Sequence, residues 1–113
     1  MPQYMLMFID DPDQWDTTPK EQKTAKYAEI GKWWEELSKK GVIKGGEELM
    51  NKSTATTVRR VNGQMKVSDG PFMESKEHVG GYALIQVADL DEAIAVAKSW
   101  PGSDVEVRPI VER

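Results

Sequence analysis

Apolar residues fill positions 3–9 (QYMLMFI) so densely that both sides of an extended segment are nonpolar, with Tyr4, Leu6 and Phe8 on one side and Met5, Met7 and Ile9 on the other. A run of this kind, ended by the acidic turn Asp10, Asp11, Pro12 and Asp13, predicts a central strand covered on both faces. Residues 81–87 (GYALIQV) repeat the pattern and predict a second. Between them the period changes: Tyr27, Ile30, Trp33, Trp34 and Leu37 recur at three-and-four spacing, which predicts a helix over residues 19–40. Thr18 is placed to cap it, Pro19 to open it and Glu21 to close a capping box, while Lys39, Lys40 and Gly41 suit its carbonyl end.

The remaining elements are shorter. Residues 42–49 predict an edge strand interrupted at Gly45 and Gly46. Residues 55–61 and 64–68 flank Asn62 and Gly63, whose tolerance of positive φ marks a two-residue hairpin turn and pairs Val58 with Val67 and Arg60 with Met65. Asp89 and Glu92 repeat the capping logic ahead of Leu90, Ala93, Ile94 and Ala97, a second helix that Pro101 and Gly102 end. Residues 104–110 close as a strand in which Val105 and Val107 alternate with Glu106 and Arg108.

This order, strand–helix–strand twice with a hairpin between, predicts an α+β fold: a ferredoxin-like split βαβ sheet with an extra β-hairpin. Two helices cover only one face of such a sheet. Because both central strands are apolar on two sides, the other face needs a cover, and a second copy related by a twofold axis would supply it. The expected assembly is a homodimer with its sheets face to face, a dimeric α+β barrel.

Composition narrows the chemistry. The 113 residues suit one domain over 1–113, and 39% hydrophobic residues with 9 glycines suffice for a core. Lys+Arg 15 against Asp+Glu 19 gives a net charge of −4 with no basic block, which argues against nucleic acid as a partner. With no cysteine and one histidine, disulfides, thiolate nucleophiles and two-histidine metal sites are excluded within one chain, and no metal is expected. The longest apolar run is far short of a membrane helix and no basic-then-apolar leader precedes it, so no membrane partner and a cytoplasmic setting are expected. Asp10, Asp11, Asp13 and Asp16 fail calcium-loop spacing, because Pro12, Gln14 and Trp15 stand where acids, amides and glycine are required. They read as a solvated turn. No phosphate-binding or dinucleotide fingerprint is present, and no cofactor is expected.

The loop from Asp69 carries a signature. Asp69 and Gly70 form a turn, Pro71 stiffens its exit, and Phe72 is placed to anchor it. The run VSDGPFMESKEHVGGYALIQVADLDEAIAVAKSWP, with VEVRPI, YMLMFIDD, GVIKGGEEL and the ATTVR hairpin, resembles the DGPF branch of the YCII-related domain family over nearly the whole chain. The resemblance implies ferredoxin-like subunits in dimeric α+β barrels. It also implies a genomic association with extracytoplasmic-function sigma factors, hence a regulatory protein partner as an alternative role. Some relatives carry a proposed His–Asp acid/base dyad with the histidine on the first helix. No histidine lies between Pro19 and Lys40 here, and His78 stands where the branch often has glutamine, so that dyad does not carry over residue by residue.

Among individual residues, Asp69 is the candidate proton-transfer carboxylate, against a plain turn cap. Tyr4, Arg59, Phe72, Glu74, His78 and Tyr82 are candidate ligand contacts: Tyr4 and Tyr82 as aromatic walls with polar tips between sheet and partner, Arg59 as an anion contact, Phe72 and Glu74 from the signature loop, and His78 as a base. Each has a structural alternative as core, strand edge or solvated loop. Trp15 would shield a cleft mouth or staple the loop ahead of the helix. The function this reading supports is binding of a small organic molecule in a barrel cleft, with metal-free acid/base activity left open; the alternative is a protein-interaction module.

Overall fold

The structure is a computed structural model describing residues 1–113. Its elements are β1 (Gln3–Asp10), α1 (Pro12–Asp16), α2 (Lys20–Lys39), β2 (Ile43–Glu48), a 3-10 turn (Lys52–Thr54), β3 (Thr56–Val61), β4 (Gln64–Asp69), β5 (His78–Gln86), α3 (Leu90–Lys98) and β6 (Asp104–Pro109). Four strands form an antiparallel sheet in the order β2-β5-β1-β6, and β3 pairs only with β4. With the β3–β4 hairpin set aside, β1–α2–β2 and β5–α3–β6 each have their two strands separated by one strand of the other unit. This is the ferredoxin-like α+β arrangement that the element order predicts.

Strand alternation decides the core. Tyr4, Leu6 and Phe8 turn toward the helices beside Ala83, Ile85 and Val87, and they pack with Ile43, Trp33 and Ala93. Phe8 stacks on Trp100 at 3.9 Å between ring centroids, and Trp33 Nε1 donates to Ser99 Oγ at 2.8 Å, which ties α2 to the end of α3. Gly46 lets β2 close on β5: its φ of 145° suits glycine, and a Cβ there would run into the Tyr82 carbonyl and lie 2.6 Å from the Trp34 ring.

The acidic turn after β1 departs from expectation. It is a helical turn, α1, with Asp11 as N-cap accepting from the Asp13 amide at 3.0 Å and Pro12 in the first helical position. Thr18 consequently does not cap α2. Its hydroxyl donates to the Gln14 carbonyl at 2.8 Å, closing α1, and α2 starts behind Pro19 with no side-chain cap. The hairpin matches its predicted register, with Val58 opposite Val67, Arg60 opposite Met65, and Asn62 and Gly63 both at positive φ.

On the face away from the helices, Met5, Met7, Tyr82 and Leu84 form a half-buried row with no layer over it. The molecule is a slab of 46 × 44 × 19 Å whose radius of gyration, 16.2 Å, exceeds the about 13 Å of a compact domain near this length. The hairpin and the loop after it stand out from the body as an arm. No helix is long and apolar enough to cross a membrane.

Candidate functional site

The polar ends of three strands meet on the helix side of the sheet. β1 runs out at Asp10, β5 begins at His78 directly opposite it, and β2 ends at Glu48. The first pairing depends on a shift in register: Phe8 faces Gly81 but Ile9 faces Val79, so Gly80 is the extra residue that swings His78 opposite Asp10. The Asp10 carboxylate lies against that glycine, where a Cβ would stand 2.6 Å from Oδ2. The first turns of α2 supply Tyr27, whose hydroxyl donates to Glu48 Oε2 at 2.9 Å. Trp15 of α1 meets the Tyr27 ring edge-on at 5.3 Å and carries the Lys23 ammonium 5.4 Å from its own ring. An open groove continues from Tyr27 along α2 past Ile30 and Gly31 to Trp34.

The electrostatics of this cluster are those of crowded acids with one imidazole. Partial burial raises the Asp10 carboxyl above its ordinary 3.8, the charges of Glu48 and Asp11 raise it further, and His78 pulls it down. Burial also raises the Tyr27 phenol, and its hydrogen bond to Glu48 adds to the effect. His78 Nε2 is buried without a hydrogen-bond partner. An unpaired buried polar atom costs on the order of 1–3 kcal/mol, so a group that completes it is favoured there. A carboxyl held toward its protonated form, an imidazole and a phenol beside an aromatic edge can together bind a small polar molecule and exchange a proton with it.

The candidate residues from the sequence fall into four places. His78 is in this cluster, opposite Asp10. Asp69 ends β4 on the exposed arm, and the turn it begins is held by Thr57, whose hydroxyl donates to the Gly70 carbonyl at 2.7 Å. Arg59 and Phe72 meet each other on that arm, through a hydrogen bond to the Phe72 carbonyl at 2.9 Å and a guanidinium 4.0 Å from the ring centroid, and Glu74 is exposed in the loop beyond. Tyr4 and Tyr82 require a correction: register puts Tyr4 opposite Ile85 and Tyr82 opposite Met7, on different faces. Tyr4 is a core residue, 7% exposed beneath the helices, and shares no pocket with Tyr82 on the open face. Asp10, Tyr27 and Glu48 were not among the candidates. Their signal lies in the strand ends, because antiparallel pairing of two apolar runs sets the aspartate that ends one against the histidine that precedes the other.

A family model described as the YCII-related domain matches residues 2–112. Over 67 residues the chain is 39% identical to an uncharacterised protein of Rhizobium meliloti (strain 1021). That match takes in 55% of this chain and 54% of the relative, so it spans about half the length of each.

Proposed function

Because the chain belongs to the YCII-related domain family, we propose that it binds a small organic molecule in the helix-side cleft of Asp10, Tyr27, Glu48 and His78, with metal-free proton exchange at the Asp10–His78 pair as its chemistry. The observation that carries this reading is the buried, unpartnered His78 Nε2 on the residue opposite an aspartate whose carboxyl burial holds toward its neutral form. The reading includes a homodimer closed over the half-buried row of Met5, Met7, Tyr82 and Leu84, and a cytoplasmic setting in keeping with the lack of cysteine.

The test is a screen of small polar and aromatic fragments followed on the amide and side-chain NMR signals of the labelled protein. Binding should move Asp10, Tyr27, Glu48 and His78 together, and His78→Leu, which keeps bulk but has no polar atom, should weaken the best fragment about tenfold, the scale of one lost hydrogen bond. Shifts confined to the open sheet face or the arm would refute the site. A protein-interaction role in a regulatory circuit would use the exposed arm instead, and the cleft signals would then stay still.

A further inference from the structure

A two-stranded hairpin is marginally stable in water unless another layer covers it. β3 and β4 pair with no other strand, and only Thr57 among their residues is buried. On one face the loop after β4 folds back only far enough to bond Thr57 and Arg59. Cross-strand pairing puts Val58, Met65 and Val67 on the opposite face, where they are 51%, 55% and 70% exposed.

Three observations favour a second copy as the cover. The first is area: the chain exposes 8231 Å², whereas a compact monomer of 12.7 kDa exposes roughly 6200 Å². The surplus, about 2000 Å², is on the scale that one subunit of an obligate dimer withdraws from water. The second is shape: β3 and β4 pack substantially only on each other, and the molecule spreads over 46 × 44 Å while only 19 Å thick. The third is charge. Residues 50–77 hold five of the 15 basic and three of the 19 acidic residues, a net of +2, which leaves the rest of the chain at −6. Arg60, opposite Met65 on the bare face, joins none of the chain's ion pairs. Six of the body's 16 acidic residues, Asp10, Asp11, Asp13, Asp16, Glu47 and Glu48, lie at the end of β1, on α1 and its N-cap, and at the end of β2.

We infer that the β3–β4 arm is a clasp for a second copy of this chain, with Val58, Met65 and Val67 seated on the partner's body and Arg60 set against its acidic surface. The clasp rests on the homodimer reading but uses a surface separate from the open sheet face, and it gives the uncovered hairpin its missing layer.

The experiment mixes methyl-labelled and unlabelled full-length chains, records isotope-filtered NOEs, and measures mass by sedimentation on the same sample. The expected result is a two-chain mass with cross-peaks between the Val58, Met65 and Val67 methyls and protons of the other chain. The double variant Val58→Thr with Val67→Thr keeps β-compatible side chains at both positions, and it should weaken the dimer about tenfold or more. A two-chain mass without arm cross-peaks, or an undiminished affinity in the double variant, overturns the clasp and leaves the dimer standing. A one-chain mass throughout overturns both, and capture of a different protein by the arm of a monomer would assign this surface to a heterologous partner instead.

Discussion

Asp10 is the residue where local geometry and chemistry are most tightly coupled. Its carboxyl is raised above 3.8 chiefly by burial and then by Glu48 and Asp11. The sign follows from proton uptake: between the unfolded value and the raised folded value the native state binds more protons, so stability falls as pH rises through that window. Above it, the charged carboxylate is a standing cost to the fold. Asp10→Asn should therefore raise the melting temperature at pH 7 and leave it nearly unchanged at pH 3, where the native carboxyl is already neutral. Thermal unfolding at the two pH values checks this, and a lower melting temperature at pH 7 would mean that the charge stabilises the fold. A side chain that makes the fold less stable at neutral pH is what a functional carboxyl looks like. His78 was legible as a lone histidine but not as a partner of Asp10, because the sequence predicts β5 to begin at residue 81 and the pairing arises only past the extra residue at Gly80. The same sensitivity separates Tyr4 from Tyr82, since which face a strand residue takes depends on register to a single position.

At the scale of elements, local chemistry made the prediction where no neighbouring element competed for the same groups. Asn62-Gly63 specifies its turn within two residues, and the hairpin register came out as read. The capping pair at α3 also held: Asp89 accepts from the Glu92 amide at 2.9 Å, while Glu92 reaches back to the Ala88 amide at 2.7 Å. For α2, Thr18 carried an equally good cap pattern, but α1 sits immediately upstream and its open carbonyls claimed the hydroxyl first. A five-residue helix offers too little periodicity to be seen in advance. Gly46 is the residue on which the β2 edge depends. Gly46→Ala would put a methyl group against the Tyr82 carbonyl at a φ that L-residues rarely adopt, neither of which a side-chain rotation can relieve. We expect a loss of about 2–4 kcal/mol in urea unfolding. A loss under about 0.5 kcal/mol would show that β2 is free to move away from β5.

At the scale of the whole molecule, one chain leaves an apolar sheet face uncovered. Only 12 of 113 residues are buried, so the helix side alone supplies a small core, and the row of Met5, Met7, Tyr82 and Leu84 adds to it only when covered. This part was legible early, because an apolar pattern on both faces of β1 and β5 cannot be satisfied by helices on one side. The arm was less so: the sequence predicts a hairpin but not whether it lies on the body. If folding and pairing are linked, mass action makes stability depend on chain concentration. The melting temperature should rise by a few degrees for each tenfold increase in protein concentration. Met7→Glu places a carboxylate in the middle of the proposed sheet-to-sheet contact, on the side away from the core, where a single chain tolerates it. That variant should give a one-chain mass and a melting temperature independent of concentration, with the helix-side cleft intact. Calorimetry at two concentrations, read beside sedimentation, decides the matter: a concentration-independent melting temperature in the unmodified protein, together with a one-chain mass, would show that the open face is stable in water without a partner.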